Sequence, residues 1–256
     1  MKTRLIATII CSPLLLTACG GSENSTTGCF NPALYQAGNT FTYINYRDNA
    51  PYDVIEVSYK PLADAPQVEE HGVYKDLQGK TEQQYVKTLT VDKAHQQILQ
   101  HSNRFSKDKV EFLIEYTPAQ PDVLEANATT ATPVTTDYEM RAYMPSDPDN
   151  TATHTEEHKV TTFIGYEQLT TPAGTFSTCH FTDTIRRHDI DSDTTSVTTS
   201  HRWYDDKLGM QVQLANEQQT RKRVLVQAQV NGDTVSAPDA RLQQVHIKPI
   251  NNSNGV

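Results

Sequence analysis

The sequence predicts an all-β fold, and two observations carry that prediction. Apolar residues alternate with polar ones in several segments, which is typical of half-buried strands, whereas the 3.6-residue period of a helix is scarce. Threonine is abundant in these segments, and a β-branched polar side chain suits the exposed face of a sheet. Roughly 225 residues follow Cys29, a length that suits one all-β domain. We therefore predict a single antiparallel sheet over residues 29–250, with few or no helices, and a disordered tail at residues 251–256.

The alternation places the predicted strands. It is clearest at residues 53–60, 207–215 and 223–230. Further strand candidates lie at residues 40–47, 83–91, 109–117, 136–144, 158–169, 175–187 and 242–250.

Three segments between these strands need separate treatment. Residues 92–103 fit either a short helix or a second hairpin strand, and the strand is favoured. Residues 117–135 and 144–157 are rich in Pro, Asp, Asn and Thr and lack apolar periodicity, so long flexible loops are predicted there.

The first residues of the chain predict export. Lys2 and Arg4 precede an apolar run over residues 5–16, the arrangement of a secretory signal peptide. The run is about twelve residues long and contains Pro13, so it is too short for a membrane span of roughly 20 residues.

The end of this segment, Leu-Thr-Ala-Cys at residues 16–19, resembles the lipobox of bacterial lipoproteins. In that family the cysteine carries acyl chains such as palmitate and becomes the first residue of the mature protein. The resemblance implies a signal peptide over residues 1–18, lipid on Cys19, and a flexible tether over residues 19–28. Gly20 stands where aspartate often retains such proteins on the inner membrane, so the outer membrane is the expected location.

The charge of the chain argues against nucleic acid as a partner. Residues 1–18 contain two of the 22 basic residues and none of the 31 acidic ones, so the mature chain carries 20 bases and a net charge of −11. Binding to phosphate backbones requires clustered Lys and Arg. Attachment to the membrane is therefore expected through the lipid alone.

A tight turn is predicted in the middle of the chain, where strand-forming residues break at Pro172 and Gly174. Proline presets the backbone for a turn and glycine supplies a left-handed residue, so we predict a three-residue hairpin loop with a bulge. Counting outward from that loop places Glu167 opposite Cys179. The turn is predicted to be structural, because no histidine lies on the cysteine's face to activate the thiol.

The segments "GYEQLTTPAGTFSTCHF" and "HRWYDDKLGM" resemble a family of bacterial periplasmic and lipoprotein domains of unknown function. The matching positions are Gly165, Pro172, Gly174, Phe176, Trp203, Tyr204 and Gly209. That family is similar to the open β half-barrel of the outer-membrane lipoprotein carrier and its receptor. The resemblance implies that the predicted sheet is curved into an open half-barrel.

The cysteine count predicts one disulfide. Processing removes Cys11 and acylates Cys19, which leaves Cys29 and Cys179 in an oxidising compartment. Two thiols left over in an exported protein are typical of a disulfide.

The sequence "HTEEH" at residues 154–158 is the main catalytic alternative. It matches H-x-x-E-H, in which His154 and His158 would bind zinc and Glu157 would activate water on a helix. The following β-branched residues favour a strand instead, in which the two histidines would be about 13 Å apart. We therefore expect no metal and no cofactor.

The resulting prediction is a non-catalytic outer-membrane lipoprotein that binds a partner protein or an apolar ligand. A groove lined by Tyr166, Phe176 and Trp203 is the expected binding surface. The alternative is an envelope hydrolase, for example a zinc peptidase that uses His154, Glu157 and His158.

Overall fold

The computed structural model describes residues 28–63, 66–124 and 132–235. The strands are β1 Thr40–Arg47, β2 Ala50–Pro61, β3 Gln67–Lys75, β4 Thr81–Asp92, β5 Gln97–Lys107, β6 Val110–Val123, β7 Val134–Met144, β8 Asp147–Thr171, β9 Gly174–Asp189, β10 Thr194–Asp205, β11 Gln211–Asn216, β12 Arg221–Val230 and β13 Asp233–Val235. Over the described ranges the helical structure is one 3₁₀ turn, Pro32–Leu34. The predicted all-β class is confirmed.

The sheet closes into a twelve-stranded antiparallel barrel. Each strand pairs with the next along the chain, and β12 returns to pair with β1, from Thr40 opposite Gln229 to Arg47 opposite Arg221. The predicted open half-barrel is therefore wrong. Closure depends on a pairing between strands about 180 residues apart, and the local alternation from which the strands were predicted carries no information on that pairing. Strand β13 adds to β12 beyond the barrel.

The hairpin turn at Pro172 is present, but its register differs from the prediction. The loop is Pro172-Ala173, because Thr171 pairs with Gly174. Glu167 therefore lies opposite Thr178, one residue from the predicted partner. The bulge that was expected at the turn falls farther along β8, between Phe163 and Gly165.

The described residues of both predicted loops are largely strand. Strand β6 continues through residues 117–123, and β8 begins at Asp147. The ambiguous segment at residues 92–103 forms a turn and the start of β5, so the hairpin strand, which was favoured over a short helix, is present. The strand candidate at residues 242–250, the signal peptide, most of the tether and the C-terminal tail lie outside the described residues.

The segment before β1 packs onto the end of the barrel at which β1 begins. Cys29, Phe30 and Leu34 are buried in the two apolar clusters of the interior. Asn31 Nδ2 donates to the Leu208 carbonyl at 2.9 Å. The predicted disulfide joins Cys29 to Cys179, with Cα atoms 5.9 Å apart, and fastens this segment to β9.

The interior of the barrel has two chemically different halves. The apolar half is formed by residues such as Phe41, Ile55, Tyr85, Val212 and Leu225. The polar half lies under β6 to β10 and contains the buried residues Tyr138, Thr155, Glu157, Lys159, Thr161, Asp183 and Arg202. No helix in the described ranges is long and apolar enough to cross a bilayer.

Candidate binding site

Among the described residues, β6 and β7 pair over only part of their lengths. In the described part of the chain, the two strands pair only where Leu113–Thr117 meets Glu139–Tyr143. Beyond that point residues 120–123 of β6 pair with β5, and residues 134–138 of β7 pair with β8. We call the unpaired stretch, residues 118–123 of β6 and 134–138 of β7, the seam.

Prolines explain why β6 tolerates the seam. Pro118 and Pro121 have no backbone N–H, so neither can donate to a neighbouring strand. Proline within a sheet is confined to edges and bulges for this reason. The same prolines suggested a loop in the sequence, whereas the structure includes them in β6. Pro121 is paired with Leu99 of β5, and Pro118 lies in the irregular stretch between Glu115 and Gln120.

Two long side chains reach the β6 backbone from inside the barrel. Lys159 Nζ donates to the Pro121 carbonyl at 2.9 Å. Arg202 Nη2 lies 3.4 Å from the Val123 carbonyl. A buried carbonyl without a hydrogen-bond donor costs free energy. These cations therefore take the place of the backbone N–H groups that a neighbouring strand would otherwise donate.

Both cations are paired with carboxylates. Lys159 Nζ lies 2.8 Å from Asp122 Oδ1, and Arg202 Nη2 donates to Asp183 Oδ1 at 2.9 Å. Asp183 also accepts from Thr161 Oγ1 at 2.6 Å. Two positive and two negative side chains thus form one group, which we call the ion network. Lys159, Asp183 and Arg202 expose 3–5% of their side chains to solvent, whereas Asp122 exposes 42%.

The proton affinities within the ion network follow from this pairing. Burial alone would raise the pKa of Asp122, but the adjacent Lys159 and Arg202 lower it below its usual range. Burial alone would lower the pKa of Arg202, but Asp183 raises it well above its usual value. The charged forms of both side chains are therefore the stable ones.

A second polar group lies beside the ion network, behind β7. Glu157 accepts from Tyr138 Oη at 2.8 Å and from Arg187 Nε at 2.6 Å. Gln120 Nε2 donates to Tyr138 Oη at 2.8 Å, so a side-chain bond crosses the seam. Burial, followed by the charge of Glu157, raises the pKa of the Tyr138 hydroxyl well above its usual value. Tyr138 is therefore neutral and acts as a fixed donor.

An open cleft of about 720 Å³ lies beside the seam. Its lining is Thr117, Pro118, Asp137, Tyr138, Glu139, Glu156, Glu157, His158, Arg186 and His188. Four of these are carboxylates and one is an arginine, so carboxylates outnumber arginines in the lining of the cleft. His158 Nδ1 lies 2.6 Å from Asp137 Oδ1, on the outer face.

The interior cavity of the barrel is much smaller. It has a volume of about 100 Å³ and is lined by tyrosines, apolar side chains and a few charged residues. Pockets for organic ligands usually have volumes of roughly 300–1,000 Å³. Among the described residues, this cavity is therefore too small for an acyl chain.

The structure does not bring the three predicted groove residues together. Tyr166 is 53% exposed, whereas Phe176 is buried in the apolar cluster of the interior. Trp203 is buried beneath His180, with ring centroids 4.5 Å apart, and its indole N–H donates to Glu167. These positions therefore do not line one groove.

The H-x-x-E-H match lies on strand β8. His154 and His158 contact Glu139 and Asp137 on the outer face, whereas Glu157 points into the barrel. The histidines and the glutamate of a zinc peptidase act on the same side of a helix, so this arrangement does not fit that alternative. Cys19, the predicted lipidation site, lies outside the described residues.

Comparison with solved structures identifies a similar fold. The fold of this chain is similar to that of a protein from Parabacteroides distasonis assigned as a lipoprotein, with a TM-score of 0.52, 14% identity, and coverage of 79% of this chain and 99% of the other. A protein from Bacteroides fragilis, described as exported and as having a YmcC-like fold, aligns at a TM-score of 0.49 and 15% identity, with the same coverage.

The first of these likenesses establishes the fold alone, because the sequence identity is low. No protein-family model matches the chain. A search of the curated proteins gave no match either.

Sequence reasoning missed the seam and the ion network. A signal was present for the seam, because Pro118 and Pro121 fall within a segment that continues the strand at residues 109–117. The sequence gave no signal for the ion network, because Lys159 and Arg202 stand among strand residues just as a cation on the exposed face of a sheet would.

Proposed function

We propose that the protein is a non-catalytic lipoprotein, anchored in the outer membrane through Cys19, that binds a partner protein at the seam. The observation that carries the proposal is the unpaired stretch of barrel wall beside an open cleft. Unpaired strand edges are ready-made sites for another chain, and native barrels usually remove them. An edge kept open and supported from within is therefore a candidate contact surface.

The filled interior favours a protein partner over an apolar ligand. The cavity of about 100 Å³ is too small for an acyl chain. The carboxylate of Glu157 is already bound by Tyr138 and Arg187, which supports a structural rather than a catalytic role.

Three observations support the envelope location. The lipobox-like residues 16–19 end a typical signal segment. The Cys29–Cys179 disulfide fits an oxidising compartment. The similar barrel from P. distasonis is itself assigned as a lipoprotein.

Site-specific photo-crosslinking in intact cells tests the contact. A photoreactive amino acid at Val134, which is exposed in the seam, should give one discrete crosslinked protein. The matched control is Val197, an exposed valine on β10. The same products from both positions, or none from Val134, would contradict the proposal.

Membrane fractionation tests the anchor. Cys19→Ser should move the protein from the membrane fraction to the soluble fraction. A variant that still sediments with membranes after a high-salt wash would refute lipid anchoring.

A further inference from the structure

The unpaired edge of β7 has a defined length. Residues 134–138 pair with β8 through Thr161–Glu157 on one side, and no described strand pairs with them on the other. At about 3.4 Å per residue this edge is roughly 17 Å long, the length of a typical strand. An extended segment of five or six residues could therefore satisfy its backbone groups.

The two faces of this edge differ in chemistry. Tyr138 is buried, and its hydroxyl donates to Glu157 inside the barrel. Val134 and Thr136 lie four and two residues before Tyr138 on β7, so their side chains are on the same, inward face. Asp137 is 77% exposed and belongs, with Glu139, to the outward face. Side chains of a strand alternate between faces. A strand added here would therefore place one set of alternate side chains beside Val134, Thr136 and Tyr138, and the other set beside the acidic residues of the outer face.

Charge identifies the outward residues of that strand. Asp137, Glu139 and Glu156 lie on or next to the edge, and Asp137 and Glu139 contact His158 and His154. Arg141 lies two residues beyond Glu139, where β7 is paired with β6, and Arg186 is on β9, two strands away. Lysine or arginine at alternate positions would complement these acids. A second copy of this chain would instead place the same acidic edge against its own equivalent, which is unfavourable.

On the basis of the proposed function, we propose that the β7 edge of the seam accepts a strand of the partner that alternates basic with apolar or β-branched residues. Backbone hydrogen bonds to residues 134–138 would supply affinity, and the acidic outer face would supply selectivity. The partner is thus defined by its pattern: a short extended segment with positive charge at every second position.

Synthetic peptides test strand addition directly. The probe is a capped seven-residue peptide that alternates Lys with Val and Thr, titrated into the purified domain by calorimetry. One analogue carries N-methyl groups at alternate backbone nitrogens and keeps its charge. A second analogue has Glu in place of Lys. We expect the parent peptide to bind, and each analogue to bind at least tenfold more weakly.

A matched pair of protein variants localises the binding. Glu139→Gln, at the paired residue next to the seam, should weaken binding of the parent peptide several-fold. Glu82→Gln, an exposed residue on β4, should leave binding unchanged.

The outcomes separate this inference from the proposed function. Equal binding of the parent and N-methylated peptides, or no binding of the parent peptide, would overturn strand addition. A persistent crosslink at Val134 would still support a partner at the seam. If the product at Val134 is a dimer of this chain, the cationic partner is wrong.

Discussion

The two halves of the barrel interior are stabilised in different ways. Strands β12, β1 and β2 pair along the whole of β1, and the side chains beneath them are apolar, such as Ile55 and Leu225. Behind the seam the wall lacks backbone partners, and the side chains beneath it are charged. At the seam, buried cations thus donate to backbone carbonyls of β6 that do not face a paired strand.

Breaking the ion network should give the largest loss of stability. Arg202→Met removes a buried cation and leaves Asp183 without its main partner. Loss of one member of a buried ion pair typically costs about 3–5 kcal/mol. Urea unfolding should show this decrease in the free energy of unfolding.

A second substitution tests whether Arg202 and Asp183 act as a pair, and a substitution in the apolar half serves as the comparison. Adding Asp183→Asn to Arg202→Met removes the unpaired charge and should restore part of the stability. In the apolar half, Leu225→Ala should cost about 2–5 kcal/mol through the cavity it leaves. If the Arg202 and Asp183 changes are simply additive, the two side chains do not act as a pair.

The disulfide should have the next largest effect. Replacing Cys29 and Cys179 by serine removes a crosslink between positions 150 residues apart. Loss of a native disulfide from an exported domain typically costs about 2–5 kcal/mol, and the segment before β1 is held to β9 by this bond. Chemical denaturation of the double variant, compared with the oxidised parent, measures the cost. Equal midpoints would show that packing alone fixes this segment.

The strands and the disulfide could be predicted from the sequence because they depend on local alternation and on elimination among four cysteines. The closure of the sheet could not, since no residue marks β1 and β12 as neighbours. The register at Pro172 was displaced because a three-residue loop was predicted, whereas Thr171 pairs with Gly174 and leaves a loop of two residues. The seam was mistaken for a loop, since prolines suit both a loop and an edge strand.

Overpacking tests the apolar half. Gly72 lies beneath Tyr85, and a Cβ added there would lie 2.0 Å from the ring. Gly72→Ala should therefore displace the ring and cost about 1–3 kcal/mol. Thermal or urea unfolding checks the loss, and Tyr85→Leu in the same chain should relieve part of it. No loss in the single variant would mean that the ring moves freely.

Acidification should have a smaller effect that is specific to the polar half. The pKa of Asp122 is lowered in the fold, so the unfolded chain binds the proton more readily. The stabilisation by Asp122 is therefore complete above about pH 4 and is lost as the pH falls below that value. Asp122→Asn should flatten the loss of stability with acid, measured as urea midpoints from pH 5 to pH 2.5. Parallel curves for the variant and the parent would contradict this assignment.

Hydrogen exchange of the β7 backbone amides tests the central claim most directly. Amides that face β6 within residues 139–143 are bonded to it and should exchange slowly. Those that face the seam within residues 134–138 should exchange much faster, while the alternate amides bonded to β8 remain protected. Uniform protection of all amides from residue 134 to residue 143 would contradict an open seam.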